Sequence, residues 1–88
     1  ITRNTMVEVS PNPFIEKIIV RIEADKQETA TMVLTDMSGR QVLRKQVNLL
    51  EGNNVFNIDE AVKLSRGMYM LTVISEQHTQ SIRVTKGQ

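Results

Sequence analysis

Apolar residues recur at every second position along most of this chain of 88 residues. In the segment 17–24, positions 18, 20, 22 and 24 are apolar, whereas positions 17, 21 and 23 are charged. In the segment 30–36, Ala30, Met32 and Leu34 alternate with two threonines and a valine. A period of two is that of a β-strand with one buried and one solvated face. The pattern therefore predicts antiparallel strands over a common core.

Turn residues divide this pattern into short runs, with prolines at 11 and 13 and isolated glycines at 39 and 52. We predict one domain over residues 1–88, loosely held at 1–5, with strands at 6–9, 15–24, 28–37, 40–50, 53–59, 67–75 and 79–86. Residues 59–66 are expected to form an irregular loop with one helical turn. Because no helix of crossover length exists, parallel βαβ units are excluded, and the fold class is an all-β antiparallel sandwich or barrel.

Composition excludes several classes of function. Eleven basic and ten acidic residues are mixed along the chain. The densest basic cluster, at residues 40, 44 and 45, divides between the two faces of a strand, so no nucleic-acid footprint is present. Absence of cysteine excludes disulfides and thiolate metal sites. The apolar run Met68–Leu71 is far shorter than the roughly 20 residues that cross a bilayer, so we expect no membrane insertion.

Residues able to carry catalysis are few and scattered. His78 is the only histidine and lies in a polar turn, and no serine has a nucleophile-elbow setting. A weak calcium site at Glu51, Asn53 and Asp59 is an open alternative, although no calcium-loop spacing is present. We therefore expect no enzyme activity, cofactor, metal or small-molecule substrate.

Aromatic residues are too few to form a stacking surface, since the chain has no tryptophan and only Phe14, Phe56 and Tyr69. Phe56 and Tyr69 alternate with aliphatic residues, which predicts that both rings are buried. Phe14 follows a proline and is expected to plug one end of the sandwich.

Three segments resemble a known family. They are Ser10–Phe14, Val33–Val42 and Leu64–Val73, followed by the closing strand Ser81–Lys86. In this order and spacing they resemble the type A C-terminal sorting domain of the type IX secretion system, over about residues 7–86. The resemblance implies an immunoglobulin-like sandwich of about seven strands at the end of a larger cargo protein.

The resemblance also implies a route for that cargo. A Sec signal carries it into the periplasm of a Gram-negative bacterium, and the outer-membrane translocon recognises the folded end domain. A sortase-like peptidase then typically removes the domain, and residues 1–9 or just upstream are where we expect the cut. The cargo ends on the cell surface or outside the cell. The alternative is a non-catalytic immunoglobulin- or fibronectin-like module that is structural or adhesive.

The motif residues are expected to act mainly in the fold; they are Pro11, Asn12, Pro13, Phe14, Asp36, Gly39, Leu64, Gly67 and Tyr69. The two prolines should give a rigid lead-in to the sandwich. Asp36 should accept bonds from backbone N–H groups across the following turn. Leu64 should cover the core, Gly67 should permit a sharp start to the next strand, and the Tyr69 hydroxyl should need a partner.

Direct recognition is expected at the last strand, through Ile82, Arg83, Val84, Thr85 and Lys86. If this strand lies at a sheet edge, a partner can add a strand to it. Lys86 would then supply a terminal charge, or else protect the edge, and two residues follow it. The expected partners are the translocon and the peptidase. We expect a monomer in solution, with edge-strand pairing between copies available in a crystal.

Overall fold

Two antiparallel β-sheets form the protein in this computed structural model, which describes residues 6–76 and 78–87. The strands are β1 (Met6–Ser10), β2 (Ile18–Ala24), β3 (Glu28–Asp36), β4 (Gln41–Leu49), β5 (Gly52–Ile58), β6 (Gly67–Ser75) and β7 (Thr79–Lys86). One sheet has the order β1-β2-β5 and the other β4-β3-β6-β7. The predicted all-β sandwich is confirmed. The segment expected to be loosely held, 1–5, lies outside the described residues.

The region between β5 and β6 contains the single helical turn that the sequence predicts. It is a 3₁₀ helix over Asp59–Lys63. The Lys45 ammonium on β4 lies 3.0 Å from the Glu60 carboxylate and joins this turn to the sheet. A bond from the Glu60 backbone N–H and the bond from Lys45 together lower the pKa of the Glu60 carboxyl.

The core consists of the inward positions of both sheets. On β2, Ile18, Val20, Ile22 and Ala24 are buried, as their period of two predicts. On β3 the buried residues are those at 30, 32 and 34, again as predicted. Burial of each large aliphatic side chain contributes about 1.5–3 kcal/mol to folding. The fold is therefore held by two facing apolar layers.

Two local predictions differ from the structure. Phe56 packs against the core but is only half-buried, because β5 is an edge strand of its sheet. The second strand begins at Ile18 rather than at residue 15. The residues before Ile18 do not join β2 because Phe14 is bridged to Lys86 of the other sheet, so the chain must first cross from one sheet to the other.

Candidate functional site

Strand β7 lies at the edge of the four-stranded sheet, next to β6. Its register pairs Leu71 with Ile82 and Tyr69 with Val84. In an antiparallel strand, both polar groups of a residue point to the same side, and successive residues alternate. The odd-numbered residues of β7 therefore direct their backbone N–H and C=O groups away from β6, toward the edge.

A segment from the other end of the chain covers the C-terminal half of that edge. The side-chain amide of Asn12 donates to the Arg83 carbonyl at 3.2 Å, and its oxygen accepts from the Thr85 N–H at 3.0 Å. The Phe14 N–H donates to the Thr85 carbonyl, and the Phe14 carbonyl accepts from the Gly87 N–H, each at 2.8 Å. Asn12 and Phe14 thus act in place of a neighbouring strand.

Two prolines shape the covering segment. The peptide bonds preceding Pro11 and Pro13 are both cis. Neither proline has an N–H to satisfy, so the polar groups that reach β7 come from Asn12 and Phe14. The sequence predicts a rigid lead-in here, and the structure shows that the lead-in also clamps the last strand.

The N-terminal half of the same edge is open. Thr79 and Ser81 are exposed and direct their backbone polar groups to the uncovered side. Across residues 6–76 and 78–87, no backbone or side-chain group bonds the outward N–H and C=O of Ser81 or the N–H of Arg83. The outward backbone groups of β7 are therefore unbonded up to the Arg83 N–H and bonded by Asn12 and Phe14 from the Arg83 carbonyl onward.

The side chain of Lys86 points into the protein and is only 5% exposed. Its ammonium donates to the Ile15 carbonyl and, at 3.4 Å, to the Val62 carbonyl. It also lies 5.6 Å from the centroid of the Phe14 ring, within the range of a cation–π contact. The expectation that Lys86 presents a terminal charge or guards the edge is corrected: Lys86 is an internal tie.

Phe14 and Tyr69 pack together beneath this tie. Phe14 is fully buried and plugs the end of the sandwich, as predicted, and its ring centroid lies 6.4 Å from that of Tyr69 at a tilt of 53°. The buried Tyr69 ring directs its hydroxyl to the Ser65 carbonyl at 2.5 Å, the partner that the sequence requires. Along the chain, Gly67 lies between Ser65 and Tyr69, and its φ of +149° is a conformation that favours glycine. Leu64 packs half-buried against the core.

The turn from β3 to β4 is organised by Asp36. Its Oδ1 accepts from the Ser38 N–H at 3.0 Å, the Ser38 hydroxyl at 2.7 Å and the Arg40 N–H at 3.0 Å. The Ser38 hydroxyl, followed by the Arg40 N–H, lowers the pKa of the Asp36 carboxyl. Gly39 has φ +92°, as a turn glycine should. The predicted role of Asp36 is confirmed.

Within residues 6–76 and 78–87, no three His, Cys, Asp or Glu side chains come together as metal ligands. Glu51 and Asp59 lie at opposite ends of β5, so they do not form a calcium site together. The His78 carbonyl accepts from the Ser75 N–H at 2.8 Å, which closes the turn between β6 and β7. No helix within the described residues is long and apolar enough to cross a membrane.

The sequence carried signals for two of the contacts that it did not predict. Lys86 has the same parity as Ile82 and Val84, so its side chain had to point inward with theirs. Asn12 stands between two prolines, and its amide is the only polar side chain in the stretch 11–14. Nothing in the sequence pattern indicates that the carbonyls of Ile15 and Val62 converge on Lys86.

The described residues form a small antiparallel sandwich whose last strand lies at a sheet edge and is clamped over its C-terminal half. The family described as secretion system C-terminal sorting domain matches residues 8–86, and the chain belongs to it. The chain is thus a type IX secretion sorting signal, and its cargo reaches the cell surface or the extracellular space. Sorting implies interaction with the type IX secretion machinery. No curated protein matches the chain.

Proposed function

We propose that the type IX outer-membrane translocon recognises this domain in its folded state, after transit through the periplasm, and that β7 is the element it contacts. The observation that carries the proposal is the divided edge of β7. The clamp by Asn12 and Phe14 holds the C-terminal half in place, whereas the half around Ser81 offers unpaired backbone groups. An exposed row of such groups is a template for an added strand.

The five residues Ile82–Lys86 contribute to this contact in different ways. Val84 and Lys86 are buried and shape the strand from within. Arg83 is exposed, and Ile82 and Thr85 are half-buried, so these three offer side-chain contacts. Because the outward carbonyl of Arg83 and both outward groups of Thr85 are already bonded, strand addition is confined to the outward groups of Thr79 and Ser81 and to the Arg83 N–H.

Removing one outward donor tests strand addition without breaking the sheet. In the full cargo or a reporter fusion, Ser81→Pro removes the outward N–H of residue 81, and an edge strand tolerates proline on its free side. Ser81→Ala is the matched control, because both variants lose the 2.9 Å hydroxyl contact with Thr72 but only the first loses the N–H. We expect the Ser81→Pro fusion to accumulate in the periplasm and the Ser81→Ala fusion to reach the surface.

Deletion of residues 79–88 should also retain the cargo in the periplasm. The proposal fails if the Ser81→Pro fusion keeps its melting temperature and is displayed on the surface at the wild-type level. A deletion that leaves display intact would overturn β7 as the recognised element altogether.

We further propose that a sortase-like peptidase removes the domain at the surface, within residues 1–9 or just upstream. The pairing of β1 supports a cut before or early in that strand, since β1 pairs with β2 alone in its sheet. N-terminal sequencing of the released fragment tests this. A fragment that begins after residue 10 would contradict the proposed position.

A further inference from the structure

The outward-facing side chains of β3, β4, β6 and β7 form a continuous surface that we call the threonine face. Three of the four outward positions on β3 are threonines. The registers place Arg44, Val33, Thr72 and Ser81 in one row across all four strands. In the next row, Ile74 of β6 is 40% exposed. The centre of the face is therefore apolar and hydroxyl-bearing, and it is accessible.

The charges on this face have one sign. Within the described strands, the only charged residues at outward positions are Arg44 on β4 and Arg83 on β7, which lie at opposite edges of the sheet. Neither has an ion pair with any other described residue. On the other sheet, by contrast, Arg21 lies opposite Glu8 in the strand register and shares its outward face with Glu23. Positive and negative charges are therefore mixed on that sheet. The asymmetry gives the threonine face a preference for a negatively charged partner.

We infer that the threonine face docks an acidic surface of a partner protein, with carboxylates on Arg44 and Arg83 and apolar contacts over Val33 and Ile74. This inference rests on the proposed function, because the partner is a protein that handles the domain during export. Exposed arginines recognise carboxylates through two parallel hydrogen bonds. A second copy of the same face is disfavoured, since the arginines of both copies would meet.

The size of the face fits a transient contact. Four strands about 4.8 Å apart and seven residues long give a surface of roughly 20 Å by 20 Å once side chains are included. That area is about 400 Å² on each partner, at the low end for specific protein complexes. A sorting signal must be released after use, so such a contact suits its task.

Charge reversal tests the electrostatic part of the inference. In a reporter fusion exported by a type IX system, R44E/R83E should lower the amount of displayed reporter about tenfold or more, because like charges would face the partner. R44K/R83K keeps both positive charges but loses the paired hydrogen bonds, and should display more reporter than R44E/R83E. K63E/R66E makes the same change in net charge at exposed positions before β6 and should display normally. The wild-type domain and the three double variants should have melting temperatures within about 3 °C of each other, because surface substitutions usually change stability little.

Zero-length carbodiimide cross-linking in cells identifies what lies on the face. The amines introduced by R44K/R83K should form amide bonds to Asp or Glu residues of a different protein, and the wild-type domain, which lacks those two amines, supplies the background. Cross-links only between copies of this chain, or none above background, would overturn the inference. So would normal display by R44E/R83E. If instead a reporter fused to the wild-type domain is not displayed at all, the proposed function itself fails. Failure of the proposed function is thereby distinguished from failure of the docking inference.

Discussion

Replacing Lys86 with alanine removes the internal tie at the end of β7. The ammonium donates to the carbonyls of Ile15 and Val62 and lies against the Phe14 ring. A hydrogen bond to a charged group contributes about 1.5–3 kcal/mol and a cation–π contact about 0.5–2 kcal/mol. Desolvation of the ammonium offsets part of this gain. We therefore expect Lys86→Ala to lower the free energy of unfolding by about 2–4 kcal/mol, a large part of the total for a small domain.

Urea unfolding of the isolated domain measures this loss of free energy. Thermal unfolding should show a fall in melting temperature of roughly 10–25 °C. Lys86→Met keeps the buried stem and should lose less, because only the polar contacts disappear. Lys17→Ala, at an exposed lysine, is the control and should change stability by less than about 0.5 kcal/mol. If Lys86→Ala unfolds like the control, the internal tie is refuted. If Lys86→Met is as stable as wild type yet is not exported, the charge itself is recognised.

Two further predictions concern the turn and the ring beneath the tie. The pKa of Asp36 is lowered from its ordinary value of 3.8, so its stabilising effect is complete above that value and is lost as the pH falls through the lower folded pKa. The stability difference between wild type and Asp36→Asn, measured by urea unfolding, should shrink below about pH 4, and a difference independent of pH would contradict this. Tyr69→Phe leaves the Ser65 carbonyl without its partner and should cost about 1 kcal/mol. No change would mean that water replaces the hydroxyl.

Local patterns in the sequence were sufficient to predict the strands. The alternation on β2 and β3 fixes which side chains face the core, because a strand has only two faces. The Asp36 turn and the Tyr69 hydroxyl were predictable for a similar reason, since each depends on residues within four positions along the chain.

Contacts between distant parts of the chain were not predictable in the same way. Asn12 and Thr85 are 73 residues apart, and nothing in a single sequence says which backbone edge an amide will meet. The half-burial of Phe56 likewise depends on β5 being at an edge, which is a property of the sheet order. The recognition site was expected along Ile82–Lys86, and the clamp and the inward-pointing lysine became visible only when the two ends of the chain were placed side by side.

The divided edge of β7 is tested most directly by amide hydrogen exchange. The N–H groups of Thr85 and Gly87 donate to Asn12 and Phe14 and should exchange slowly. Those of Ser81 and Arg83 point to the open side and should exchange far faster, although they lie in the same strand. If Ser81 is protected as strongly as Thr85, the open half does not exist, and strand addition there is contradicted.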